Sequence, residues 1–335
     1  MAKKFKLTAA NYYSKEANER YFSVSQYKTF LDCPARAMAE IRGEYKQPMT
    51  TALLVGSYVD SYFEGTLKKF TKEHPEVFNI SVKENNDTIA NVQKIAPELV
   101  TKNLTWKPKG LAEAKRRFPK LFDVDYSLKA DFLKAEEIIK RVEEDELFME
   151  FMKGRKQVIK TAELFGTQWK IKIDSYLSAT AVKAIVKKFP ESEKFFTIGL
   201  GAIVDLKIMR SLERIMGKSF IEHWGYDVQT STYSKVEAIS SGKERRLPTF
   251  LSVATKEDDI DIELVHIPFW RHDECLADME KQMPRLIAYK NGELEAPRCG
   301  GCAYCRRTKK LKAPISFENV GFSNKELALM EGKNF

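Results

Sequence analysis

The chain has 335 residues, of which 43% are hydrophobic and 31% are charged. This composition is ordinary for a soluble globular protein, and it excludes a chain that is disordered throughout. The 56 lysines and arginines exceed the 47 acidic residues and give a net charge of +9, which favours an acidic partner such as nucleic acid.

The sequence pattern contains no membrane or secretion signal. No run of about 18 apolar residues predicts a transmembrane helix. The basic beginning of the sequence lacks the apolar stretch of a signal peptide. We therefore expect a cytoplasmic protein without membrane contact. Structural disulfides are rare in that compartment, so the five cysteines favour metal or cluster binding.

The first predicted element is a helix over residues 23–41. Its apolar residues recur at helical spacing, and Ser23 or Ser25 is a candidate cap. Pro34 should interrupt this helix just after Cys33, because proline cannot continue a helical hydrogen-bond ladder.

Residues 50–70 predict a second helix. Gly56, Asp60 and Glu64 recur on it every fourth residue and therefore share one stripe. The polar, charge-rich stretch that follows, 71–160, predicts a helical insertion, and its motifs carry no recognisable chemistry.

Strands are predicted next. Residues 161–165 and 168–177 flank the pair Gly166-Thr167, which predicts a tight hairpin with glycine at the first turn position. Trp169, Ile171 and Ile173 alternate with polar residues, as in a half-buried strand, and Asp174 ends the pattern.

A further strand over 201–209 is followed by a predicted helix over 212–239. The remaining predicted elements are strands at 248–254 and 262–269 and a helix over 271–289. This order of elements predicts a mixed α/β domain.

The strongest chemical signal is Asp205-Leu206-Lys207, which has the form [DE]-x-K. Residues two apart in a strand face the same side, so the carboxylate and the ammonium should meet. A carboxylate can hold a hard cation such as Mg²⁺, and a lysine can orient water and offset developing charge, as phosphodiester hydrolysis requires. Taken alone, the tripeptide also fits a solvated strand face with a weak ion pair.

The neighbouring motifs resolve this ambiguity through their order. Gly56 and Asp60 give GxxxD on a helix, Asp174 follows a hairpin, and Asp205 with Lys207 lies on the next strand; Gln229 and Tyr233 then give QxxxY on a helix. This series resembles the RecB-type family of PD-(D/E)XK nucleases. The family usually has histidine at the position of Asp60, where a carboxylate remains an acceptable Mg²⁺ ligand.

The resemblance implies a restriction-endonuclease-like core, with a mixed central sheet flanked by helices, in a single nuclease domain over 1–335. It also implies Mg²⁺ or Mn²⁺ held by Asp174, Asp205 and the carbonyl of Leu206, with Asp60 as a further candidate. Gln229 would position DNA or Lys207, and Tyr233 would pack or contact the DNA backbone. Glu163 fits either a supporting role in the site or an exposed strand position.

The late cysteines form a dense C-x2-C-x2-C cluster, Cys299, Cys302 and Cys305, which favours a soft metal or a cluster. Cys33 is the candidate fourth ligand. The arrangement resembles AddB and the CRISPR adaptation nucleases, in which one early and three late cysteines bind a [4Fe–4S] cluster. By that resemblance the segment 297–308 would pair with Cys33 and join the two ends of the domain.

One alternative to the cluster remains open, and the remaining cysteine has a simpler explanation. The spacing departs from the C-x2-C-x5-C of those relatives, which leaves zinc as an alternative to the cluster. Cys275 reads as a small residue on an amphipathic helix, and neither it nor the nearby His272 is expected to bind metal.

The sequence contains no G-x-x-x-x-G-K-[ST] motif, so no helicase motor is expected beside the nuclease. Among stand-alone relatives, the chain is most similar to phage recombination exonucleases of the RecE and lambda-exonuclease kind. That resemblance implies digestion of linear duplex DNA from the 5′ end, a single-strand annealing protein as partner and a possible homo-oligomer. A structure-specific endonuclease and a non-catalytic, metal-stapled DNA-binding protein are the alternatives.

Overall fold

The computed structural model describes residues 5–311 and 313–332. Its α-helices are α1 (Lys15–Arg20), α2 (Val24–Asp32), α3 (Pro34–Arg42), α4 (Thr51–Phe63), α5 (Leu67–Glu73), α6 (Thr88–Ile95), α7 (Gly110–Arg117), α8 (Ala130–Glu143), α9 (Glu146–Met152), α10 (Ala179–Lys188), α11 (Phe220–Trp224), α12 (Tyr226–Ser240), α13 (Phe269–Asn291), α14 (Ala303–Arg307) and α15 (Asn324–Met330). Its strands are β1 (Phe78–Lys83), β2 (Asp123–Leu128), β3 (Val158–Leu164), β4 (Thr167–Ile173), β5 (Ser175–Leu177), β6 (Ala202–Met209), β7 (Thr249–Thr255) and β8 (Ile262–Ile267).

The described chain divides into two compact units. Residues Ser57–Glu137 form the smaller unit, and the parts of the chain on either side of it form the larger unit. None of the helices in the described residues is both long enough and apolar enough to cross a membrane.

The larger unit contains a four-stranded sheet in the order β5-β6-β7-β8 and a separate β3–β4 hairpin. β6 runs antiparallel to β5 and parallel to β7, and β7 runs antiparallel to β8. Parallel neighbours need a crossover connection, which α11 and α12 supply between β6 and β7. The expected mixed α/β sheet with flanking helices is therefore present.

The main core of the larger unit lies around Trp169 on β4, which is fully buried. The Phe22 amide donates to the Gln168 carbonyl over 2.7 Å, and the Lys170 amide donates to the Phe22 carbonyl over 2.8 Å. These bonds hold the start of α2 against β4. Aromatic and aliphatic side chains from α2, β4, α12 and α13 complete the cluster, among them Tyr27, Phe30, Ile171, Val236, Met279 and Met283.

The break in the first predicted helix is confirmed. Ser23 caps α2 by accepting a hydrogen bond from the Gln26 amide, and α2 ends at Asp32. Cys33 then has extended backbone angles, and α3 starts at Pro34. Proline is well placed at a first helical position, where the missing N–H would have no helical partner.

The smaller unit differs from the predicted helical insertion. It contains α6 and α7, but also the antiparallel pair β1–β2. The charge-rich sequence over 126–152 also predicts one long helix, but the structure has the end of β2 there, followed by two separate helices, α8 and α9. One face of the β1–β2 pair is apolar, with Ile80 opposite Tyr126, so the alternation of a strand was hidden in a stretch that is polar on average.

Two local predictions in the larger unit need correction. The hairpin turn is Phe165-Gly166, both with positive φ, so glycine occupies the second turn position of a two-residue loop. The helix predicted from residue 212 begins only at Phe220, where Ser219 and Glu222 form a capping box. It is then interrupted at Gly225, whose φ of +61° separates α11 from α12.

Candidate active site

Asp205 on β6 is the centre of the candidate site and is 1% exposed. β6 has hydrogen-bonded neighbours on both sides, so its middle residues lie inside the larger unit. A buried carboxylate is costly unless ionic and hydrogen-bonding partners replace water. The Lys207 ammonium forms an ion pair with Asp205 Oδ2, and Gln229 Nε2 donates to Asp205 Oδ1 over 2.8 Å. Asp205 therefore has a partner on its own strand and another on α12.

Lys207 is a cation within this site. It lies two residues after Asp205, so strand alternation directs both side chains to one face. Its ammonium also donates to the Leu206 carbonyl over 3.1 Å. Burial disfavours the charged ammonium, but the carboxylates of Asp205 and Asp174 outweigh it and raise the pKa of Lys207 above its usual value. The side chain therefore remains protonated at neutral pH.

Asp174 lies beside the same strand. β5 begins at Ser175, which pairs with Val204 on β6. Asp174 directly precedes β5, and its carboxylate accepts a backbone N–H from the part of β6 that follows this pairing. Asp174 Oδ2 accepts the Leu206 N–H over 3.1 Å, and Gln157 Nε2 lies 3.4 Å from Asp174 Oδ1. The structure therefore brings Asp174 and the Asp-x-Lys tripeptide together at one edge of the β5–β6 ladder.

Gln229 and Tyr233 are one turn apart on α12 and face this point. Besides its bond to Asp205, the Gln229 amide nitrogen lies 3.3 Å from the Tyr233 hydroxyl. Burial and the nearby Asp205 carboxylate raise the pKa of Tyr233 well above its usual value, so its phenol stays neutral. The sequence suggested that Gln229 would position DNA or Lys207; the contact in the structure is with Asp205.

A second buried ion pair fixes α12. Asp227 is 2% exposed, and its Oδ2 accepts from Arg271 Nε over 2.9 Å and from Arg271 Nη2 over 2.7 Å. Arg271 belongs to α13, so this pair joins the two helices two residues before Gln229. It therefore sets the rotation of α12 that directs Gln229 toward β6.

The donor atoms at this place fit a hard divalent cation. The carboxylates of Asp174 and Asp205 and the carbonyl of Leu206 offer only oxygen, which Mg²⁺ and Mn²⁺ prefer. The Lys207 ammonium already contacts two of these donors, the Leu206 carbonyl and Asp205 Oδ2. The oxygen atoms of these three residues thus lie in a region where a positive charge is stabilised.

The other predicted site residues have different surroundings. Gly56 and Asp60 both lie on α4, and the boundary between the two compact units falls between them. A metal-binding role for Asp60 stays a prediction. Glu163 is exposed on β3, and its Oε2 lies 3.4 Å from Gln168 Nε2. The side chain of Glu163 thus fits the alternative of a surface strand glutamate.

Sequence reasoning missed three residues near the site: Gln157, Lys28 and Tyr226. Gln157 has a φ of 53°, an uncommon backbone conformation for this residue type. No local sequence motif predicts this conformation. Lys28 and Tyr226 meet only through the packing of α2 against the α11–α12 junction. Their proximity depends on tertiary structure, which no sequence spacing reveals.

The four predicted cysteine ligands form one group. The Sγ atoms of Cys33, Cys299, Cys302 and Cys305 all lie within 4.8 Å of one another. Two backbone amides point at this group, since the Cys302 N–H donates to Cys299 Sγ over 3.3 Å and the Cys305 N–H donates to Cys302 Sγ over 3.4 Å. Burial disfavours the Cys299 thiolate, but hydrogen bonds from the Cys302 and Gly301 amides and from the neighbouring thiols together outweigh it and lower the pKa of Cys299. The group fits a thiolate-bound metal.

The separations between these sulfur atoms bear on the identity of the metal. Cys33 Sγ lies 3.6 Å from Cys305 Sγ, and Cys299 Sγ lies 3.8 Å from Cys305 Sγ. Four sulfurs about 2.3 Å from one tetrahedral ion are about 3.8 Å apart. A [4Fe–4S] cluster binds each thiolate through a different iron and so requires wider spacing.

Cys275 and His272 lie apart from this group, on α13. His272 is fully buried and its Nε2 lies 2.9 Å from Thr249 Oγ1, which ties α13 to β7. Burial raises the pKa of Cys275 to about 11, so the thiol is neutral at physiological pH. Both residues therefore fit structural roles.

Comparison with known proteins identifies the class to which this fold and site belong. A mixed sheet that brings an aspartate beside an Asp-x-Lys strand is the arrangement of PD-(D/E)XK proteins. The family described as "PDDEXK-like domain of unknown function (DUF3799)" matches residues 23–188 and 197–308, and the chain belongs to this family. A search of curated proteins gave no match.

A solved structure supports the same assignment. The chain is similar to the crystal structure of the "Putative exonuclease" from Eubacterium rectale, with 36% sequence identity and a TM-score of 0.70. The similarity covers 95% of this chain and 98% of that chain.

The geometry of the cysteine group predicts its response to substitution. If the four thiolates bind one metal, Cys33→Ser should lower the amount of bound metal and the melting temperature, because it removes one of four candidate ligands that would join α2 and α3 to the segment 297–308. Cys275→Ser is the matched control and should preserve both. Anaerobic purification followed by elemental analysis and thermal unfolding measures the effect. Full metal content and unchanged melting temperature in Cys33→Ser would contradict the shared centre.

Proposed function

We propose that this protein is a divalent-metal-dependent deoxyribonuclease that degrades linear duplex DNA from its ends. The observation that carries the proposal is the meeting of three oxygen donors at Leu206 and Lys207: Asp174 Oδ2 accepts the Leu206 N–H, and the Lys207 ammonium contacts the Leu206 carbonyl and Asp205 Oδ2. A pure structural ion pair would need only Asp205 and Lys207. The second carboxylate and the carbonyl add donors that a divalent cation uses.

The proposed chemistry assigns a different task to each residue. A divalent ion held by Asp174, Asp205 and the Leu206 carbonyl would activate water and stabilise negative charge on the phosphate. Lys207 is protonated, so it acts as a cation that orients the water and offsets charge rather than as a base. Gln229 holds Asp205 Oδ1 and so keeps Oδ2 directed toward this point.

DNA is the substrate that the charge and the family together favour. The net charge of +9 suits a polyanion, and the similar protein from Eubacterium rectale carries the name of an exonuclease. The resemblance to phage recombination exonucleases supports cleavage in the 5′ to 3′ direction and cooperation with a single-strand annealing protein. A homo-oligomer and a cytoplasmic location stay predictions on the same basis.

The metal of the cysteine group belongs to this proposal as well. The sulfur spacing favours a single tetrahedral ion such as zinc, whereas the resemblance to AddB favours a [4Fe–4S] cluster. The cluster and the zinc ion can be distinguished by the colour and the metal content of protein purified without oxygen. A cluster gives brown protein with about four irons per chain, and zinc gives colourless protein with one zinc.

The substrate class can be tested with purified protein and Mg²⁺ or Mn²⁺. We expect linear duplex DNA to be degraded progressively while covalently closed circles of the same sequence persist. Labels on the 5′ or the 3′ end then report the direction of cleavage. Cutting of the closed circles would support the endonuclease alternative, and retention of all substrates with tight binding would support the non-catalytic alternative.

The catalytic assignment makes its own prediction. Asp205→Asn and Lys207→Gln should each lower the rate of linear DNA degradation by about a hundredfold or more, because each removes charge that metal-assisted hydrolysis requires. Glu163→Gln is the control and should retain activity, since Glu163 is exposed on β3. The rates are measured at saturating Mg²⁺.

A double variant shows whether a single substitution lowers activity by destabilising the fold or by removing a catalytic group. Each single substitution leaves one buried charge unpaired and should lower the melting temperature. Asp205→Asn combined with Lys207→Gln removes both charges and should regain stability but not activity. Recovery of cleavage in the double variant would contradict the assignment.

A further inference from the structure

Lys28 is a second lysine close to the candidate active site. It lies on α2, whose other face carries the buried Tyr27 and Phe30. The Lys28 ammonium is 5.3 Å from the centre of the Tyr226 ring, and the Lys207 ammonium is also 5.3 Å from the centre of that ring. One aromatic ring therefore contacts two ammonium groups, from α2 and from β6.

The α11–α12 junction is shaped around the Lys28 side chain. Lys28 Nζ donates to the Trp224 carbonyl over 2.8 Å. The next residue, Gly225, has a φ of +61°, and a Cβ atom there would lie 3.1 Å from Lys28 Cε. Tyr226 follows and supplies the ring. Three consecutive residues thus form a cradle of carbonyl, glycine and aromatic face for one ammonium.

The charges around Lys28 are not balanced locally. In the described part of the chain, no carboxylate lies within ion-pair distance of the Lys28 ammonium. Asp205 and Asp227 contribute favourable but more distant charge, while burial and Lys207 lower the pKa of Lys28 to about 8. The side chain is still mostly protonated at neutral pH. An ammonium with a neutral carbonyl as partner retains two further donors for an anion.

We propose that Lys28 binds a phosphate oxygen of the DNA backbone beside the phosphate that is cleaved. This inference rests on the proposed nuclease function and adds a substrate contact to it. The Tyr226 ring and the Trp224 carbonyl hold the ammonium without neutralising it, so that its charge is available to the polyanion. Lys28 and Lys207 then contact the DNA from two different elements.

A purely structural role is the competing explanation, in which Lys28 only fixes the α11–α12 junction. Two variants separate the roles. Lys28→Gln keeps a donor for the Trp224 carbonyl but removes the charge, whereas Lys28→Arg keeps the charge. Lys183→Met is a control for the loss of one positive charge, because Lys183 is exposed on α10.

The first measurement is degradation of linear DNA. We expect Lys28→Gln to lower kcat/KM by about ten- to hundredfold, as for a lost hydrogen bond to a charged group. Lys28→Arg should recover most of the activity, Lys183→Met should retain it, and the melting temperature should change little in all three. If the wild-type protein cleaves DNA and Lys28→Gln cleaves it equally well, the inference fails while the proposed function stands.

The second measurement is DNA binding as a function of salt, in the inactive Asp205→Asn background. Affinity falls as salt rises, and loss of one phosphate contact should make the plot of log affinity against log salt less steep by about 0.9 in Lys28→Gln. An unchanged slope, or equal loss of activity and stability in Lys28→Gln and Lys28→Arg, would overturn the phosphate contact in favour of the structural role. Absence of cleavage by the wild-type protein would instead count against the proposed function, and the slope would still test Lys28.

Discussion

The burial of the Asp205 carboxylate is the constraint on which the rest of the site depends. A charge at 1% exposure persists only where the surrounding groups replace its lost hydration. Those groups come from different parts of the larger unit: Lys207 from β6 itself and Gln229 from α12. The βαβ crossover that makes β7 parallel to β6 is also what carries α12 over the strand. Fold and site therefore have one common requirement, the correct position of α12 above β6.

The cysteine group imposes a second constraint, on α2. Cys33 directly follows the last residue of α2, and its sulfur lies 3.6 Å from that of Cys305. The same helix carries Lys28 against the α11–α12 junction. A metal bound by the four thiolates would thus fix the end of a nine-residue helix whose middle reaches the candidate active site. Through this connection, such a metal would influence the site without any direct contact.

Local sequence patterns were sufficient to predict the strand and the helix that carry the main motif. Alternation on β6 placed Asp205 and Lys207 on one face, and helical spacing placed Gln229 and Tyr233 together. The strands β1 and β2 were missed because a short apolar face inside a polar stretch gives little signal. The late start of α11 depends on the capping box at Ser219, a signal that was present in the sequence but overlooked.

The remaining contacts could not be read from the sequence because they depend on distant segments meeting. Gln157 reaches Asp174 from a left-handed backbone position, and Lys28 reaches Tyr226 across nearly two hundred residues of chain. Even the partner of Gln229 was uncertain, since its helix fixes the direction of the side chain but not the atom that it meets. Burial of Asp205 decides that choice, because the carboxylate needs a donor.

The most direct test of the account is a measurement of Mn²⁺ binding by the carboxylates of Asp174 and Asp205. Electron paramagnetic resonance detects the bound Mn²⁺, and the cysteine group is loaded with metal beforehand so that it does not take up Mn²⁺. The wild-type protein should bind Mn²⁺, and Asp174→Asn and Asp205→Asn should each weaken that binding by at least about tenfold, because an amide is a poorer ligand for a hard dication. Glu163→Gln should bind as the wild type does. Equal Mn²⁺ affinity in all four folded proteins would contradict the central claim that Asp174 and Asp205 form one metal site.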